Sequence, residues 1–159
     1  NTFEKNYEEK WLEMMRKKLG LLENHSKDKT LILDLLTWMH QKKADYTNTF
    51  CHLMNLDIKT EKIYKEMEFI YWKERWQKRL STKKDLPKKN LELMKNSNPL
   101  VIPRNHKVEE VLNDANEDNL KPINEFIKVL NKPYKNQKEI EEYQKPSCSN
   151  KKYQTFCGT

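Results

Sequence analysis

Two glycines in 159 residues, Gly20 and Gly158, set the tightest limit on what this chain can become. Type I′ hairpin turns need positive φ at both central residues and draw on Asn-Gly, Asp-Gly or Gly-Gly, and no such dipeptide occurs. A sheet-rich fold needs many such turn residues, so helices are the default. The chain is polar, with 36% apolar and 35% charged residues, yet its five Phe, four Trp and seven Tyr argue against wholesale disorder. A length of 159 residues suits one domain with a thin core of packed helices.

The apolar spacing predicts an all-α, compact bundle of about six or seven helices with an extended C-terminal tail. Phe3, Tyr7, Trp11, Met14 and Met15 share one helical face, and Gly20 suits the position just past that helix. Asp28 is placed to cap a second helix with the stripe Leu31, Ile32, Leu35, Leu36 and Met39. Tyr46, Phe50, Leu53 and Met54 mark a shorter third. Thr60 can cap the longest, with Ile63, Met67, Ile70, Tyr71 and Trp76 inward. Pro87 suits a first helical position, ahead of Leu91 and Met94. The prolines at 99 and 103 interrupt helix there. Val108, Val111, Leu112 and Ala115 form a further face, and Pro122 opens a helix carrying Ile123, Phe126, Ile127 and Leu130. After Lys132 the only periodic stretch lies around Ile140 and Tyr143. The expected division is therefore a helical domain over 1–131 and a tail over 132–159 with one short helix, its last fourteen residues extended.

The first residues, Asn1-Thr2-Phe3-Glu4-Lys5, do not resemble a signal peptide, and no apolar run approaches the ~20 residues of a membrane span. Three widely spaced cysteines, Cys51, Cys148 and Cys157, are an odd set for a secreted disulfide scaffold. A cytoplasmic protein without membrane contact is expected. The helical pattern is already under way at Phe3 with no initiator Met, which suggests a piece of something longer.

Residues 73–95 hold nine Lys or Arg against Glu74, Asp85 and Glu92, nearly all of the chain's net charge of +7. One reading is a basic helical nucleic-acid-binding module, with Trp72 and Trp76 free to stack on bases. The plainer reading is a solvated helix end in a lysine-rich chain, and it is preferred because no recognised DNA-binding motif accompanies the run. Cys51-His52 has no second ligand pair at zinc spacing, so no metal is expected. Two glycines cannot build a phosphate-cradling loop, and neither a His-Arg-Asp nor an Asp-Phe-Gly run occurs, so no catalytic or cofactor-binding residue is expected here. Glu109-Glu110 and Glu141-Glu142 read as helix surface.

Four stretches occur in the order found in one family. They are Ala44-Asp45-Tyr46-Thr47-Asn48-Thr49-Phe50; Asn98-Pro99 with Ile102-Pro103-Arg104-Asn105-His106 and Val108-Glu109-Glu110; the looser Leu130, Pro133 and Tyr134; and Tyr153-Gln154-Thr155-Phe156-Cys157-Gly158-Thr159. Together they resemble the C-terminal third of the selenoprotein O family, from about residue 7 onward. The chain departs from the pattern at Cys51, where a basic residue is expected.

The resemblance implies a parent enzyme with a kinase-like fold that binds ATP in a flipped orientation. It would transfer AMP, with Mg or Mn, to Ser, Thr or Tyr hydroxyls of other proteins. It places the ATP, metal and base residues upstream, so this fragment itself would have none. Its expected partners are the missing kinase-like region and the parent's protein substrates. The resemblance also carries one thiol over: Cys157 matches the family's Cys or selenocysteine third from the terminus, a candidate redox switch. Among the residues themselves, Arg104 offers a planar fork to a carboxylate or to backbone carbonyls, and the side-chain oxygen of Asn105 is placed to cap the following helix. Arg104, Asn105, His106 and Asp45 are read as structural or interdomain residues rather than substrate residues.

Overall fold

The computed structural model describes residues 2–56, 62–81, 86–137 and 140–147. Helix α1 runs Thr2–Lys18, α2 Asp28–Lys42, α3 Tyr46–Leu53, α4 Met67–Arg79, α5 Lys88–Ser97, α6 Asn105–Asn116, α7 Lys121–Leu130 and α8 Ile140–Gln144. A 3₁₀ turn over Lys62–Lys65 precedes α4, and no strand occurs among the described residues. Among the described residues, seven helices and the short α8 match the all-α expectation. Helix α2 packs on α4, α1 on both α5 and α2, and α6 on α7.

The core gathers Met15 and Leu19 of the α1 end, Leu31, Ile32, Leu35 and Trp38 of α2, and Phe50 and Leu53 of α3. Phe69, Trp72 and Trp76 join it from α4, Met94 from α5 and Val101 from the segment that follows. Ile140 also belongs to this core, so the chain after Lys132 returns to the bundle.

Gly20 stops α1 as expected, with φ at +70°. The Leu21 N–H reaches the Arg16 carbonyl (2.9 Å) and the Gly20 N–H the Lys17 carbonyl (3.1 Å). This paired closure is the Schellman arrangement, whose left-handed residue is cheapest as glycine. Space demands glycine too, because an added Cβ would sit 3.0 Å from both the Asn90 carbonyl oxygen and the Met94 Cγ.

Several expected details are corrected. In α1 only Met15 is fully buried; Phe3 and Tyr7 are exposed because the first half of the helix runs past its neighbours, and Met14 is exposed because it faces away from the side that Met15 buries. The inward stripe of α4 is Phe69, Trp72 and Trp76, with Met67 and Tyr71 exposed, since the large rings claim the face toward α2. Asp28 is the first residue of α2 rather than its cap, and Lys27 holds the cap position. Two guanidinium groups draw the Asp28 carboxylate inward, as described below. Pro87 sits at the cap of α5 and Pro122 in the first turn of α7. Leu112 and Ile127 are exposed on the peripheral α6–α7 pair. Thr60 lies outside the described residues.

Candidate functional site

Asp45 ends the short link after α2 in an extended conformation (φ −66°, ψ 125°) that suits an N-cap. Its Oδ1 accepts from the Asn48 N–H at 2.8 Å, and its carbonyl accepts from the Thr49 hydroxyl at 2.7 Å. The carboxylate has a second task. Arg104 Nη1 donates to Asp45 Oδ2 at 2.6 Å and Nη2 to Oδ1 at 2.9 Å, a two-pronged pair. Both side chains are largely shielded from solvent, at 10% exposure for Arg104 and 17% for Asp45. Burial works to raise the Asp45 pKa, but the Arg104 hydrogen bond, the Asn48 N–H and the guanidinium charge prevail and hold it below the ordinary value.

The pair anchors a wider polar seam. Asn48 Nδ2 donates to the Gln144 carbonyl (3.1 Å), and Gln144 Nε2 donates to the Leu100 carbonyl (2.8 Å). The Leu100 N–H donates to the Pro133 carbonyl at 2.7 Å. Asn98 is buried, and its Nδ2 donates to the carbonyls of Lys18 and Met94, both at 2.9 Å. Lys18 returns the contact from Nζ to the Ser97 carbonyl (3.1 Å) and Asn98 Oδ1 (3.3 Å). The same ammonium lies 5.5 Å from the Tyr46 ring centre and 5.2 Å from that of Phe50. Three of the four motif stretches therefore meet in one place: the Asp45 helix start, the Asn98–Arg104 connector and the Pro133 turn. The fourth, with Cys157, lies outside the described residues, as does Cys148.

Asn105 does not cap α6. Arg104 occupies the cap position without a side-chain cap bond, and Asn105 is the first helical residue and exposed. The reason is the fixed position of Arg104: its tie to Asp45 sets the backbone one residue ahead of where the asparagine could act. His106 is half-buried and joins none of these hydrogen bonds. Cys51 is fully buried beside the seam, its Sγ 3.9 Å from the Pro99 carbonyl oxygen. Burial, with the Asp45 charge adding to it, pushes its thiol up to about 12.

A second polar centre was not visible in the sequence. Asp28 is fully buried, and its carboxylate receives Arg16 Nε (3.1 Å), Arg79 Nε (2.8 Å) and the His25 N–H (2.9 Å). It joins α1, α2 and α4 through one side chain. A lone Asp at a helix start carries no signal for this role; only the approach of two distant arginines creates it.

The basic run does not present stacking platforms. Trp72 and Trp76 are buried, stacked on each other at 6.0 Å, and donate Nε1 to the carbonyls of Leu31 (2.8 Å) and Leu19 (2.9 Å). Neither ring is therefore free to stack on bases as the alternative nucleic-acid reading requires, and the physical cause is the apolar area that α4 buries against α2. Arg75 and Arg79 are also engaged internally, with Asp34 and Asp28. A cavity of about 940 Å³ beside α7 and α8 is lined by Glu125, Lys128, Lys132, Glu141, Glu142 and Lys145, whose charges balance rather than favour one sign of ligand. Among the described residues no group of three or more His, Cys, Asp or Glu is placed to hold a metal, and no helix is long and apolar enough to cross a membrane.

The family model described as protein adenylyltransferase SelO matches residues 1–131. Proteins named protein nucleotidyltransferase YdiU are similar along the whole chain. That of Pelagibacter ubique is 51% identical over 160 residues, covering 100% of this chain and 33% of its own length. Those of Alcanivorax borkumensis and Nitrosococcus oceani are 44% and 40% identical, covering 99% of this chain and 33% and 32% of theirs. The chain thus spans about a third of the length of the curated relatives it matches.

Proposed function

This chain belongs to the family described as protein adenylyltransferase SelO, and we propose that it is the helical C-terminal domain of a cytoplasmic enzyme that transfers AMP from ATP to protein hydroxyls. In this reading the domain shapes and regulates the enzyme, while ATP and Mg or Mn are held by a kinase-like region outside it. The observation that carries the reading is identity of 51% running the full length of the chain while spanning only a third of a named nucleotidyltransferase. The geometry agrees with a supporting role. Asp45 and Arg104, from the first and second of the four stretches, are turned on each other and largely buried, which leaves neither to act on a substrate.

The regulatory part of the proposal falls on Cys157. Its thiol and a cysteine of the kinase-like region would lose two protons and two electrons to a disulfide oxidant such as oxidised glutathione, forming one S–S bond and lowering activity until a thiol reductant reverses it. Cys51 is the unsuitable thiol, because burial keeps it protonated.

The test uses labelled ATP with Mg or Mn. The longer polypeptide should label protein substrates and the 159-residue chain should label none. AMP transfer by the 159-residue chain alone overturns the division of labour. Peptide mapping of the oxidised longer polypeptide checks the switch; Cys157 found free, or bridged only to Cys148, removes it.

A further inference from the structure

Residues 2–10 of α1 are all exposed, so the first two and a half turns of this helix lie beyond the bundle. Glu8 reaches Lys29 of α2 there, an ion pair between two half-exposed side chains. Exposed pairs of this kind contribute little. A helical stretch of nine residues is marginal in water without packing. Yet its two large apolar residues, Phe3 and Tyr7, begin a row that continues along the helix into Trp11 and Met14. Tyr7 is 64% exposed and Met14 44% exposed, with Trp11 between them half-buried, at the i, i+4, i+7 spacing of one face. Phe3 continues the stripe one turn earlier and is exposed as well. Apolar residues in a contiguous helical row at the surface mark a contact face rather than scattered exposure.

We propose that this outer face of α1 is the docking surface for the kinase-like region of the longer polypeptide; the proposal rests on the domain reading above. The relatives offer an occupant of sufficient size, since two-thirds of their length lies outside the segment this chain matches. Covalent linkage gives that region an effective concentration near the millimolar range at the stripe, well above that of a second copy in dilute solution. The contact would be a helix laid into an apolar groove, with Tyr7 and Met14 as anchors and the flanking Glu4, Glu9 and Lys10 as its polar rim.

Amide hydrogen exchange on the longer polypeptide and on the 159-residue chain tests this directly. In the short chain the amides of residues 5–10 should exchange rapidly; in the longer polypeptide they should slow by about tenfold or more. The double variant Tyr7→Glu/Met14→Glu should restore fast exchange at 5–10 in the longer polypeptide. It should leave the melting temperature of the short chain unchanged, because glutamate is a good helix former and both sites are exposed. Equally fast exchange at 5–10 in both molecules, with other surfaces of this chain protected by the added region, overturns the docking face but leaves the domain reading standing. No protection anywhere in this chain from the added region overturns both. Protection in the short chain that grows with its own concentration assigns the face to a second copy and overturns the proposal.

Discussion

Arg104 holds Asp45 through two hydrogen bonds of 2.6 and 2.9 Å, joining residues 59 apart in sequence and tying the start of α3 to the start of α6. The Nε of Arg104 is buried without a hydrogen-bond partner, so the guanidinium relies on this carboxylate and on a longer contact to Asn48 Oδ1. Removing Asp45 therefore strands a shielded cation and also deletes the α3 cap. Asp45→Ala is expected to cost about 3 kcal/mol of unfolding free energy. The double variant Asp45→Ser/Arg104→Met keeps a cap and removes the charge, and it should be the more stable of the two. Urea denaturation decides this; a double variant no better than the single one refutes the stranded-charge account.

Acid should weaken the fold before its carboxylates titrate. His52 stacks on Tyr64 with ring centres 4.1 Å apart. Burial, and then the Lys73 charge, lower its pKa from 6.5 to about 4. The unfolded chain binds the proton at the higher pH, so the folded state loses stability as pH falls from 6.5 toward 4 and keeps all of it above 6.5. Stability measured across that window should show an uptake of roughly one proton on unfolding. His52→Gln should flatten the dependence, and an unchanged slope in that variant removes His52 as its source.

A further loss should set in at lower pH. The Asp28 pKa lies below its ordinary 3.8: burial opposes this, but the hydrogen bond from Arg79 leads the groups that lower it. Its stabilising contribution is present above 3.8 and disappears as pH falls below that value. Asp28→Asn should therefore destabilise at neutral pH and narrow the gap to the wild type in strong acid. A gap that is constant with pH excludes Asp28 as the titrating group.

Cys51 should resist alkylation by iodoacetamide at pH 8 in the folded chain, since its thiol is pushed up to about 12 and has no exposed surface. The same thiol should label quickly in denaturant. Peptide mass spectrometry after timed labelling checks both states, and rapid labelling of the native Cys51 peptide would contradict the packing described.

Gly20→Ala should destabilise by roughly 2 kcal/mol, combining a left-handed residue with a Cβ forced against the Asn90 carbonyl. Thermal unfolding reads the effect, and a neutral result would mean that α5 yields freely at this point.

The helices were legible because their signals are local. Apolar spacing marks α2, and Gly20, Pro87 and Pro122 place three ends to within a residue or two. What local pattern cannot give is which neighbour a face meets. The α1 stripe reads identically whether it is buried in this bundle or reserved for another surface, and only Met15 and the half-buried Trp11 and Leu12 proved to be inside. Asp28 and Asn98 carry their weight through partners at distances of 51 and 80 residues, beyond any periodic signal. Arg104 was recognisable as a fork in search of a carboxylate, while the identity of that carboxylate awaited the three-dimensional arrangement.

The mutual bonds between Lys18 and Asn98 bear on the order of events during synthesis. They close a loop of 80 residues, and α1 depends on α5 for much of its cover. While the chain emerges from the ribosome, α2, Tyr46 and Trp76 can reach the α1 end first, but the cover that α5 supplies must wait until α5 has left the exit tunnel. Closing so long a loop carries an entropic cost that slows the step. Until Asn98 arrives this part of the core stays incomplete, a state that invites chaperones and misassociation.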